Sequence, residues 1–137
     1  MTTLMLSLIL PALVMAAAPR VDMVLTSGIS ANLKPRNNLS ELPRAKGEFT
    51  VYLQWKNLPT RKKWLVLNDS DPVTYKVSIY DASGSMVSQE VEAFTPDESA
   101  PVTWVEHKIE SGHRSGRWTV ILEAFGKRQQ KAIRIYD

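Results

Sequence analysis

Apolar and polar residues alternate with a period of two along most of this chain, and that period belongs to β-strands. Residues 47–58 place Phe49, Val51, Leu53 and Trp55 on one side, with Thr50, Tyr52, Gln54 and Lys56 on the other. Residues 73–80 repeat the pattern, setting Val73, Tyr75, Val77 and Ile79 against Thr74, Lys76, Ser78 and Tyr80. Asp81, Ala82, Ser83 and Gly84 then read as a turn, since Asp81 can cap it and Gly84 is free to take a positive φ. The stretch 85–94 is the expected return strand.

Residues 102–109 allow two faces: Val102, Trp104, Glu106 and Lys108, or Thr103, Val105, His107 and Ile109. Residues 116–125 alternate Trp118, Val120, Leu122 and Ala124 inward against Thr119, Ile121 and Glu123. Phe125, Gly126 and Lys127 make a turn, and the chain returns with Ile133 and Ile135 inward and Arg134 and Tyr136 outward. Residues 21–31 supply a first strand and 63–68 a short one. Trp55, Trp104 and Trp118 each lie on an alternating face, so all three are expected in the core. Helical periodicity is nearly absent. About seven or eight short strands without intervening helices predict an all-β fold, an antiparallel sandwich in a single domain over residues 19–137. Residues 32–48 form the one long connection and are a candidate for a mobile flap, loops of that length being often functional or disordered.

The stretches Ile79–Val87 and Ser115–Ile135 resemble bacterial periplasmic immunoglobulin-like domains, which combine an Asp-x-x-Gly hairpin turn, a late Gly-x-Trp-x-Val strand and a closing strand. The resemblance covers roughly residues 70–137 and is at the level of the fold. It implies an immunoglobulin-like sandwich and carries no functional residues with it. The cysteine pair that flanks a core Trp in antibody domains is missing, because the chain has no cysteine.

Ahead of the strands, residues 1–18 hold ten large apolar side chains and no charged one. The run is short for a membrane span, which needs about 20 residues. It fits the apolar core of a secretory signal, with small residues following for the peptidase, although no Lys or Arg precedes it. A signal peptide over 1–18 and a periplasmic or secreted location are therefore expected. An exported domain of this size without disulfides relies on its hydrophobic core.

Charge changes the picture because it is segregated. Net charge is +3, yet residues 19–65 hold nine Lys/Arg against three acids and residues 66–110 hold two against nine. Residues 111–137 return to six against two. Opposite-sign segments on neighbouring strands are expected to pair across the sheet; the alternative is a two-faced surface for a charged partner.

Candidate chemistry is sparse. His107 follows Glu106, but adjacent strand residues point to opposite faces, so the pair cannot form a catalytic dyad. His113 sits in a Gly/Ser turn and reads as solvent-exposed; a two-His metal site would need both rings on one side of the 106–118 hairpin. Asp69 and Asp71, in Asn68-Asp69-Ser70-Asp71, are weak calcium candidates and otherwise ordinary turn formers. Arg61, Lys62, Lys63 and Trp64 join three cations to an aromatic, a combination suited to polyanions, or a solvated hairpin tip with its Trp packed beneath. No cofactor site is indicated. These residues support an exported, non-enzymatic domain that binds an envelope protein or serves as a structural component. An anionic carbohydrate- or lipid-binding module using Trp64 is the alternative, and a small hydrolase with an unrecognised site a third; nucleic acid is the least expected ligand of an exported chain.

Overall fold

The computed structural model of the chain describes residues 17–59 and 72–137. Eight strands run through them: β1 (Arg20–Thr26), β2 (Glu41–Pro43), β3 (Glu48–Lys56), β4 (Val73–Tyr80), β5 (Met86–Phe94), β6 (Val102–Lys108), β7 (Gly116–Ala124) and β8 (Lys127–Tyr136). They form two sheets, one ordered β1-β3-β6 and the other β2-β8-β7-β4-β5. Every pairing is antiparallel except that of the three-residue β2 with β8, which is parallel, so the sandwich is antiparallel as its strand pattern predicts. In immunoglobulin nomenclature β1, β3 and β6 occupy the A, B and E positions, while β4, β5, β7 and β8 occupy C, C′, F and G. Residues 95–101 form no strand where D would lie.

The alternation read from the sequence fixes which face of each strand is apolar, and the two apolar faces meet. Phe49, Val51, Leu53 and Trp55 from β3 are buried against Val77, Ile79, Trp118, Val120, Leu122, Ile133 and Ile135 of the larger sheet. Aromatic rings close the core at both ends. At one end Trp55 packs on Tyr75, Phe94 and Phe125, with ring centroids 5.2, 5.3 and 5.7 Å away. At the other, Phe49 meets Trp118 edge-on at 6.3 Å. These two residues sit on β3 and β7, the strands that antibody domains join by a disulfide. Each buried indole keeps its N–H satisfied: Trp55 Nε1 donates to Thr103 Oγ1 at 2.8 Å and Trp118 Nε1 donates to the Arg114 carbonyl at 2.6 Å.

The β7–β8 hairpin turns through Phe125 and Gly126, at φ 55° and 70°, between the paired residues Ala124 and Lys127. Positive φ at both central positions marks a two-residue type I′ turn, whose twist matches the strands. The turn after β4 is held by Asp81, as its sequence suggests. Its Oδ1 accepts from the Ser83 amide at 2.9 Å and the Ser83 hydroxyl at 2.6 Å, and its Oδ2 accepts from the Arg114 amide at 3.0 Å. Asp81 thereby ties the β4–β5 turn to the β6–β7 connection.

The connection that is a candidate flap by length is built in. It contains β2 and a single 3₁₀ turn, Arg44–Lys46. The Arg44 guanidinium donates to Asp137 Oδ1 at 2.9 Å, to Ser115 Oγ at 2.8 Å and to the carbonyls of Glu110 and His113. One side chain therefore fastens this connection to the 109–115 loop and to the last residue.

Candidate functional site

The residues between β1 and β2 fold back over the outer face of the three-stranded sheet. Thr26 is a buried polar residue at the end of β1, and its hydroxyl needs a partner. Asn37 provides one: Thr26 Oγ1 lies 2.9 Å from Asn37 Oδ1, which also accepts from the Ser27 amide at 2.8 Å. The Arg36 amide donates to the Gly28 carbonyl and the Leu33 amide to the Ser30 carbonyl, both at 3.0 Å. Tyr52, on the outer face of β3, donates its hydroxyl to the Leu33 carbonyl at 2.7 Å and so clamps the loop to the sheet.

Between this clamped loop and β6 lies an open groove of about 430 Å³. Its floor and far wall are Thr50, Glu48, Trp104 and Glu106, and its near wall runs from Ser27 to Leu33. Trp104 is 42% exposed and Leu33 52%. This corrects the expectation that Trp104 is core. Of the two faces open to β6, the buried one carries Val105 and His107, and Trp104 and Glu106 point away from the core. Trp104 pairs in register with Tyr52, and Glu106 with Thr50. Glu48 is the diagonal neighbour of Glu106 on the same face.

A second exposed element is β5. It is the terminal strand of the larger sheet, and among the described residues no strand pairs with its other side. Among the described residues three strands face five, and β5 shows the overhang. Glu90 and Glu92 pair in register with Val77 and Tyr75, yet neither is buried. Val91, facing the other way, is 63% exposed, and Met86 is 48% exposed.

His107, read as unable to meet Glu106, does point inward while Glu106 points out. Its surroundings are aromatic: His113 stacks on it at 5.8 Å and 19°, and Phe49 and Trp118 lie at 5.6 and 5.7 Å. His113 is thus half-buried, not solvent-exposed, because Trp118 and His107 supply the apolar surface it covers. Burial, and then the neighbouring His113, push the His107 imidazole down to about 4 from 6.5. His107 Nε2 is buried with no hydrogen-bond partner, and His113 Nδ1 accepts from the Glu110 amide at 3.1 Å. Among the described residues neither ring is oriented by a carboxylate as a Ser-His-acid set requires. No group of three or more metal-ligating side chains occurs among the described residues, although the two rings do come together.

Arg61, Lys62, Lys63 and Trp64, the calcium candidates Asp69 and Asp71, and the expected strand over 63–68 lie outside the described residues, as does all but the end of the expected signal segment 1–18. The charge segregation is resolved otherwise than expected. The four ion pairs among the described residues are Arg44–Asp137, Lys56–Asp22, Lys76–Glu123 and Arg134–Glu41. None joins an acid of residues 66–110 to a base of another segment. For Glu90 and Glu92 the reason is topological: they sit on an edge strand whose one described neighbour, β4, offers only Lys76. No helix among the described residues is long and apolar enough to cross a membrane.

No protein-family model matches the chain, and no curated protein matches it in sequence. Among solved structures, the chain is similar to an immunoglobulin-like protein from Pseudomonas aeruginosa at 12% identity, with a TM-score of 0.49. That similarity covers 88% of this chain and 98% of the other. The strand order and the two-sheet core assign this chain the immunoglobulin-like β-sandwich fold.

Proposed function

We propose that this chain is an exported, non-enzymatic domain that binds a protein partner by accepting an extended segment along β5. The observation that carries the reading is the exposed β5 edge. It offers nine residues of backbone, an exposed Val91 and Met86, and carboxylates at Glu90 and Glu92. An edge of this kind presents unpaired N–H and C=O groups on which main-chain hydrogen bonds give affinity. Side chains at alternate positions then set preference, and Glu90 with Glu92 favour a partner strand bearing Lys or Arg. Two copies of β5 aligned with each other bring carboxylates together, which disfavours self-association along this edge.

The test is affinity capture of the tagged chain from its native envelope at low and high salt, in parallel with Val91→Lys. Val91 is exposed, so the variant keeps the fold while placing a charged side chain on the docking edge. The reading expects one protein partner retained by the unmodified chain and lost, at least ten-fold, by Val91→Lys. Equal retention by both contradicts it. Recovery of only salt-sensitive anionic glycan or lipid also contradicts it and moves the function to Arg61, Lys62, Lys63 and Trp64.

A further inference from the structure

We infer that the groove between the 27–33 loop and β6 is a recognition site for an arginine side chain presented by a protein. This site is independent of the docking edge on β5 and lies on the other sheet. Three observations converge on it. First, the groove is lined by two carboxylates, Glu48 and Glu106, in a chain of net charge +3; the cations beside it are Lys108, opposite Glu48, and Arg36, whose side chain stands by Gly28. Glu106 faces Thr50 and Glu48 faces Lys108 in the β3–β6 register, so the two acids are diagonal neighbours on one face. Diagonal neighbours lie about 7–8 Å apart, within the span of one guanidinium fork between them. Lys108 stands opposite Glu48 on the same face, so Glu106, which faces Thr50, is the carboxylate left to receive the guanidinium.

Second, the wall beside Glu106 is Trp104, the aromatic whose exposure the core does not explain. An indole face is the strongest aromatic partner for a cation, and a planar guanidinium stacks on it while donating to a carboxylate. An ammonium has no plane to stack. Third, the opposite wall is fixed before any ligand arrives. Thr26, Asn37 and Tyr52 hold the loop through side-chain hydrogen bonds, so closing the groove on a side chain costs little ordering. The Ser27 and Ser30 hydroxyls line that wall and can accept the remaining guanidinium N–H groups.

The experiment is a titration of the full isotopically labelled chain with acetyl-Gly-Arg-Gly-amide, followed by the Trp104 indole N–H and the amides of Ser30, Thr50 and Glu106. The citrulline analogue, which keeps the shape and loses the charge, is titrated alongside. The expected result is saturable shifts of those four signals with the arginine peptide and none with citrulline. Trp104→Ala and Glu106→Gln are each expected to weaken binding at least ten-fold, and raising salt to weaken it further. Glu106→Gln keeps shape and size, so it serves as the test even where removal of the indole disturbs the loop. Equal responses to arginine and citrulline overturn the inference, as do shifts confined to other surfaces. Binding of a neutral oligosaccharide in the groove with the arginine peptide inert overturns it as well. The outcome is separate from the β5 reading, which Val91→Lys probes without touching this groove.

Discussion

At the scale of single residues, the tryptophans separate scaffold from surface. Trp118 is fully buried between Phe49, His107 and His113, so Trp118→Ala is expected to cost about 3–5 kcal/mol in chemical denaturation. Trp104→Ala is expected to cost about 1 kcal/mol, because its indole stands on the outer face. A cost for Trp104 as large as that for Trp118 would contradict the placement of β6. The sequence could not choose between the faces of β6. Each alternative places two apolar and two polar residues inward, and His107 in the core runs against ordinary partitioning. Aromatic neighbours from β3, β7 and the 109–115 loop settle it. His107 also makes stability depend on pH. Its imidazole is held down at about 4 in the fold and titrates near 6.5 when unfolded, so the unfolded chain takes up the proton first as pH falls. Stability contributed by the neutral ring is complete above 6.5 and is lost towards 4, by up to about 3 kcal/mol at roughly 1.4 kcal/mol per unit. The groups facing it are His113 and Glu110, with the burial of the ring dominant. Denaturation midpoints measured from pH 7.5 to 4.5 should fall in the unmodified chain and flatten over the upper part of that range in His107→Phe. Parallel curves for both would place the sensitivity elsewhere.

At the scale of elements, turns were the most legible features after strand faces. Asp81 and Gly84, and Phe125 with Gly126, sit where side-chain capping and positive φ demand them. Gly126 has φ 70° with open space around it, so Gly126→Ala should cost about 1 kcal/mol, the conformational term alone. Gly116 differs. At φ 129° a Cβ there would stand 2.7 Å from the Ala82 Cβ, where the Asp81 turn folds over the start of β7. Gly116→Ala is expected to cost about 2–3 kcal/mol, from strain and overpacking together. Adding Ala82→Gly should recover the packing part and leave the strain. Thermal unfolding of the three variants checks this ranking; equal losses at the two glycines would show that the contact with Ala82 is absent. The 32–48 connection was illegible for an opposite reason. β2 has three residues and pairs in parallel with the last strand, and Arg44 reaches partners more than 60 positions away in the chain, so no local pattern announces either.

At the scale of the whole molecule, the two unequal sheets create the surfaces on which function is proposed. The three-stranded sheet leaves β5 overhanging, and the loop after β1 turns the outer face of the smaller sheet into a groove with two carboxylates on its sheet side. Composition revealed the segregation of charge, but whether segments pair depends on strand order, which is not written in any one segment. An acidic edge strand beside a single cationic neighbour is the result.

Amide hydrogen exchange over residues 86–94, in the isolated chain and in the chain bound to its captured partner, tests the proposed role of β5 most directly. The account predicts that β5 amides on the outer side exchange freely in isolation and slow at least ten-fold in the complex, while the core strands β3 and β7 change little. A complex that forms without added protection in β5, with slowing confined to other surfaces, would contradict it.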